Sequence, residues 1–172
     1  MSINFFEAKC QYITEKTLFG LCDDSSQIKN QTQKQAYLDE ENGAKWIAVV
    51  DNGYNQQVTF TAIDNYIEIK SEKGKMVKRC DGVLTFDATV AFVELKERVE
   101  KKPRWIKDAE MQLRSTIGYF EKSEEAQDYK TKKAYIVNNQ RPKFRESQID
   151  RMDQFLTETG YVLRIENRII ID

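Results

Sequence analysis

The sequence predicts a mixed α/β fold, a central mixed β-sheet flanked by helices, and three observations carry that expectation. Two runs rich in β-branched and apolar residues, Lys78 to Phe86 (KRCDGVLTF) and Thr89 to Lys96 (TVAFVELK), are separated only by Asp87 and Ala88. That is the pattern of two strands joined by a tight turn. Ile106, Ala109, Leu113, Ile117 and Phe120 then recur at spacings of three and four, which puts them on one face of a helix from about Ile106 to Glu121. Lys133 to Asn138 (KAYIVN) is a short, nearly continuous apolar run, as in a central strand covered on both faces. A helix between two strands implies a crossover and a parallel pair, hence a mixed sheet.

The remaining elements follow in chain order. The first forty residues are polar and give no firm pattern; Phe5 to Leu21 fits a short helix or an irregular strand, and Gln27 to Gln35 an exposed loop. Lys45 to Asp51 (KWIAVVD) reads as a strand, Asp51-Asn52-Gly53 as a turn, and Gln57 to Ile63 (QVTFTAI) as a returning strand, together an antiparallel hairpin. Ser71 to Gly74 is a polar turn, and Pro103 breaks the stretch after Lys96. A second helix is expected with Ser147 as N-cap, Asp150 three residues on, an apolar stripe of Ile149, Met152, Phe155 and Leu156, and Gly160 just past its end. Tyr161 to Ile165 and Arg168 to Ile171 close the chain as strands. The expected organisation is one domain over residues 1–172, with its core over 78–172 and the hairpin and extension over 1–77.

Composition excludes several functions. There is no histidine, which removes Ser-His-Asp and Cys-His catalysis and histidine-based zinc hydrolysis. Chemistry must rest on carboxylates, lysine, hydroxyls or thiols, with a hard, oxygen-seeking metal where one is needed. Net charge is −1, so nucleic-acid contact would have to come from local patches. Cys10, Cys22 and Cys80 are odd in number and form no Cys-x-x-Cys pair; free thiols in a reducing, cytoplasmic setting are expected. No apolar run nears the roughly 18 residues that span a bilayer, and Met1 to Lys16 has no signal-like core.

Within this frame three residues stand out. Asp81 lies on one strand of the Lys78–Lys96 pair; Glu94 and Lys96 lie on the other, separated by Leu95. Side chains alternate along a strand, so Glu94 and Lys96 share a face and Leu95 takes the other. A hairpin through Asp87-Ala88 brings Asp81 towards Glu94. Two carboxylates and an ammonium together suit phosphodiester hydrolysis with Mg²⁺ or Mn²⁺. Glu-x-Lys also occurs at Glu7/Lys9, Glu68/Lys70 and Glu100/Lys102, and Glu7 and Glu100 lie in no clear strand. Only the Glu94 copy has an acid-bearing strand before it and an amphipathic helix after it. Glu68/Lys70, in YIEIK downstream of Asp51, is the nearest rival.

The segments CDGVLTF, TVAFVELK, AEMQLRSTIGYF and KKAYIVNN, between Lys78 and Asn138, resemble the PD-(D/E)XK nuclease superfamily, whose core is restriction-endonuclease-like. The resemblance implies Asp81 and Glu94 as metal-binding acids, Lys96 as catalytic lysine, the backbone carbonyl of Leu95 as a further metal ligand, and Gln112 as a helix-borne site residue. It implies a Mg²⁺-dependent endonuclease acting on nucleic acid, DNA above RNA; the little net charge points to a protein partner or second copy for targeting, and the lack of a long apolar run to no membrane role. The alternative is a catalytically silent module on the same fold that binds nucleic acid or protein. Cys80 stands where the eponymous motif has proline. The family's helix-borne acid before the core strands is left open among Glu7, Glu15, Glu40, Glu41 and Glu68.

Other features have bland readings beside the functional ones. Gln112 also fits a boundary position on a core-packing helix, and Arg114 a solvated side chain. Lys101, Lys102, Arg104 and Lys107 surround Trp105, which fits either a phosphate-contacting segment with a stacking ring or a solvated loop with a buried tryptophan. Arg141, Lys143 and Arg145 around Phe144 form a second basic loop. Trp46 is expected in the core.

Overall fold

A computed structural model describes residues 3–24, 35–97, 104–138 and 148–172. Ten strands lie in these residues: β1 (Gln11–Thr14), β2 (Leu18–Cys22), β3 (Tyr37–Asp39), β4 (Ala48–Asp51), β5 (Val58–Ala62), β6 (Gly82–Phe86), β7 (Thr89–Lys96), β8 (Thr131–Asn138), β9 (Val162–Glu166) and β10 (Arg168–Ile170). Helix α1 (Arg104–Phe120) joins β7 to β8, and α2 (Ile149–Thr159) lies between β8 and β9.

The strands form two sheets. The larger has the order β1-β5-β6-β7-β8-β9, and the smaller β10-β4-β2-β3. In the larger sheet β1, β5, β6 and β7 run antiparallel to their neighbours, and β7, β8 and β9 are parallel, so it is mixed as the helix crossovers require. Strands β1 and β5, from the N-terminal part of the chain, complete the sheet that carries β6 to β9.

The apolar residues sort into two layers. Alternate residues of β7, Val90 and Phe92, face a core shared with Ile106, Leu113, Ile117 and Phe120 of α1 and Phe155 of α2. The intervening residues, Ala91, Val93 and Leu95, face a second core shared with Phe19, Leu21 and Val50 of the smaller sheet. Helices therefore cover one face of the large sheet, and the small sheet covers the other. Each large apolar side chain so buried contributes roughly 1.5–3 kcal/mol. The stripe of α1 expected from periodicity, Ile106, Ala109, Leu113, Ile117 and Phe120, is buried throughout. Along α2 only Phe155 is fully buried; Met152 packs partly, and Ile149 and Leu156 are exposed at 58% and 45%. Gly160 ends α2 with φ 79°, its N–H donating to Leu156 O at 2.8 Å, the left-handed cap expected of glycine. The Ser147 N-cap and the Gln27–Gln35 loop, except Gln35 itself, lie outside the described residues.

Two expectations are corrected. The strands over Lys45–Asp51 and Gln57–Ile63 do not pair as a hairpin: β4 pairs with β2 and β10, and β5 with β1 and β6. The turn between them carries the chain from one sheet to the other. Buried Asn52 fixes that crossing; its side-chain amide donates to Lys16 O and Gln56 O, and its own N–H to Thr17 O. Both strands send alternate apolar residues into the same interlayer core, and alternation cannot tell a ladder neighbour from a partner across a sandwich. The polar opening segment, likewise, yields three strands, β1 in the larger sheet and β2 and β3 in the smaller.

Candidate functional site

The site forms where β6 begins and β7 ends, beneath α1. The last ladder pair there is Gly82 opposite Val93, so Asp81 and Glu94 stand one step beyond it on neighbouring strands. Three contacts fix the approach to Asp81. The Cys80 N–H donates to Thr116 Oγ1 of α1 at 2.8 Å, the Asp81 carbonyl accepts from Ile63 N at 2.9 Å, and the Asp81 N–H donates to Glu94 Oε2 at 3.1 Å. Gly82 allows β5 to lie close: a Cβ there would sit 2.4 Å from the Phe60 ring and 2.8 Å from Thr61 O, closer than any side chain tolerates.

Asp81, Glu94, Lys96 and Gln112 form one connected group. The Leu95 N–H donates to Asp81 Oδ2 at 2.7 Å. Lys96 Nζ lies 3.2 Å from Glu94 Oε1 and donates to Gln112 Oε1 at 3.1 Å. Gln112 Nε2 in turn donates to Arg79 O at 3.3 Å. Gln112, half-buried on α1, thus spans from the lysine to the segment entering β6. The Leu95 side chain points into the other core. Its N–H faces Asp81, and in an extended strand a residue's N–H and C=O point to the same side, so its carbonyl is turned the same way.

The two acids are almost withdrawn from water, Glu94 at 2% and Asp81 at 6% exposure. Burial pushes the Asp81 carboxyl well above the usual carboxylate range, and the Glu94 charge pushes it further. Burial also raises Glu94, to about 7, although the Lys96 ammonium pulls it down. Paired buried acids whose ionisation is resisted in this way are a recurrent mark of functional sites.

Asp64 is the residue that sequence reasoning missed. It follows β5, whose end lies beside the start of β6, and its charge raises both Asp81 and Glu94. Burial raises its own carboxyl, against the pull of Arg79 Nη2 at 3.2 Å. Asp23 adds to the same acidic field. The five acids weighed from sequence lie elsewhere: Glu7 accepts from Asn4, Glu40 from Thr14, Glu68 pairs with Lys70 at the surface, and Glu15 and Glu41 are exposed. The signal for Asp64 was its position after a strand adjacent to β6, which becomes visible only with the strand order.

The donor set suits a hard divalent cation: two buried carboxylates, a backbone carbonyl and a third acid nearby, with no soft ligand required. Among the described residues no cluster of three or more acidic or thiol side chains closes around a single point. Asp81, Glu94 and the Leu95 carbonyl are the groups that would hold such an ion.

The other features resolve as packing. Trp105 is buried in the helix-side core at 7% exposure, so its ring is not offered to a base, while Arg104 and Lys107 are exposed. Lys101, Lys102 and the Arg141–Arg145 loop lie outside the described residues. Arg114 pairs with Glu158 at 2.6 Å and lies over the Phe155 ring, clamping α1 to α2. Trp46 is half-buried, packs on Gly20 and donates to Asp39. Cys10, Cys22 and Cys80 are free and buried. No described helix is long and apolar enough to cross a membrane.

No family model, curated protein or solved structure matches the chain. The described residues define a mixed α/β protein with a mixed six-stranded sheet and, among them, two α-helices, carrying a buried acidic pair next to a lysine.

Proposed function

We propose that this chain is a metal-dependent nuclease that hydrolyses phosphodiester bonds, DNA favoured, on a restriction-endonuclease-like core of the PD-(D/E)XK type. One observation carries the reading: Asp81, Glu94, Lys96 and Gln112, from three separate elements, meet in a single hydrogen-bonded group at the end of β7. The order hairpin, crossover helix, parallel strand around that group supports it.

Asp81, Glu94 and the Leu95 carbonyl would hold Mg²⁺ or Mn²⁺, which supplies a lowered water pKa and neutralises charge on phosphoryl oxygens. Lys96 contributes a fixed ammonium for the attacking water and for the charge that develops on the phosphate. Gln112 keeps the lysine aimed, because its amide is anchored on Arg79 O. Three reduced thiols fit a cytoplasmic setting. A net charge of −1 favours targeting by a protein partner or a second copy.

A silent binding module on the same fold is favoured by a different observation: both Glu94 oxygens and one Asp81 oxygen are already engaged within the chain. The deciding experiment is cleavage of plasmid, linear duplex and single-stranded substrates with Mg²⁺, Mn²⁺ or EDTA, beside Lys96→Ala. Metal-dependent cleavage that disappears in the variant is expected. No cleavage of any substrate, with no Mn²⁺-induced rise in melting temperature, would leave the binding module.

A further inference from the structure

A cavity of about 720 Å³ opens between the N-terminal segment, the turn after Asp64 and the end of α1. Its volume falls in the roughly 300–1,000 Å³ range of small-ligand sites. Lys9, Lys70 and Lys122 line it together with Tyr66 and Tyr119. Lys9 Nζ lies 5.9 Å from the Tyr66 ring centre and Lys122 Nζ 4.9 Å from that of Tyr119. Two acids also line it. Glu7 is engaged by Asn4, and Glu68 by Lys70 in an exposed pair 3.4 Å long, weak enough to exchange for another anion. Three ammonium groups against two carboxylates leave the cavity cationic. Ammonium groups beside half-buried aromatic rings together recognise an aromatic anion.

The cavity is joined to the candidate active site through Arg79. Its Nη1 donates to Ile67 O, in the cavity wall, at 2.6 Å, and its Nη2 holds Asp64 at 3.2 Å. Its own carbonyl accepts from Gln112. Tyr119 in the cavity wall lies seven residues along α1 from Gln112, about 10 Å at 1.5 Å per residue, so a strand with a phosphate at Lys96 would enter the cavity with a nucleotide a few positions away.

We propose that the cavity receives one unpaired nucleotide of the strand that is cut, its base on the Tyr66 ring and its phosphate on Lys70 and Lys122. The substrate is then single-stranded or frayed nucleic acid, because a base must leave the duplex stack to enter a cavity. The inference rests on the nuclease reading and narrows its substrate.

The test is fluorescence anisotropy in EDTA, so that binding is read without cleavage. The probe is a short labelled single-stranded DNA, with the same sequence as a duplex for comparison. Wild type is expected to bind the single strand more tightly than the duplex. Tyr66→Ala weakens single-strand binding roughly tenfold or more. The double variant Lys70→Glu/Lys122→Glu weakens it too and lowers the salt slope by about 0.7, the share of one phosphate. Lys70 and Lys122 are exposed, so this variant keeps the wild-type melting temperature. Wild-type affinity and salt slope in both variants would overturn the proposal, as would equal or tighter binding of the duplex. The two readings fail separately. Tyr66-dependent single-strand binding without metal-dependent cleavage upholds the cavity and removes the nuclease. Cleavage that is indifferent to Tyr66, Lys70 and Lys122 does the reverse.

Discussion

On one face of β7, Ala91, Val93 and Leu95 press into the apolar layer between the two sheets. On the other, Val90 and Phe92 give way to Glu94 and Lys96 beneath α1. Both faces hang on the same backbone ladders to β6 and β8. The apolar face supplies the rigidity, and the helix face holds two acids in an environment that resists their charge. A buried like-charged pair destabilises a fold, so it is tolerated only where surrounding packing over-determines its position. Alternate residues of this one strand should therefore respond to substitution in opposite ways.

The largest contrast is catalytic. Lys96→Ala is expected to reduce metal-dependent cleavage by about a hundred- to a thousandfold with little change in melting temperature, measured by single-turnover cleavage and thermal denaturation. Its neighbour Leu95→Ala should do the opposite, losing about 2–5 kcal/mol of stability in urea titration while the folded fraction still cleaves. Equal stability losses from the two would break the comparison.

A pH titration of stability sharpens it. The Glu94 carboxyl ionises near its ordinary 4.5 in the unfolded chain and near 7 in the folded one. Between these values the folded chain holds more protons, so the Glu94 contribution to stability falls as pH rises and levels off above about 7, by on the order of a few kcal/mol. Urea midpoints across this window should be flatter in Glu94→Gln. Added Mn²⁺ should offset the fall in wild type by binding the ionised pair, but not in Asp81→Ala.

Smaller effects follow. Gln112→Ala removes the bridge between Lys96 and Arg79 O and should slow cleavage about tenfold, with metal affinity, read by Mn²⁺ titration of melting temperature, unchanged. Glu68→Ala, in the rival Glu-x-Lys, should shift stability by less than about 0.5 kcal/mol and leave cleavage as it was.

Much of this was legible in the sequence, for identifiable reasons. β7 has the bounds read from TVAFVELK, because its β-branched run ends in charge on both sides. The α1 stripe was legible because every apolar residue in it faces the same core. The meeting of Asp81, Glu94 and Lys96 followed from strand alternation and one tight turn, whose Asp87 takes φ 50°, a conformation aspartate tolerates. What was not legible depended on pairing across long stretches of chain. β4 and β5 were misread as partners because their alternation serves facing sheets. Asp64 was missed for the same reason, since its nearness to Asp81 comes from the β5–β6 ladder and not from spacing.

The parallel pairing of β10 with β4 has a consequence for how the molecule is made. Arg168 reaches Asp51 across 117 residues of sequence, and Ile171 N donates to Asp51 O. Closing so long a loop is slow, and a ribosome must emit nearly all of these residues before the smaller sheet gains this strand. Until then the apolar layer on the Leu95 face of β7 is only partly roofed, and a nascent chain exposes an apolar surface that later vanishes. Removing residues 168–172 would hold the protein in that unfinished condition, so its first symptom should be aggregation during synthesis rather than loss of the acidic site.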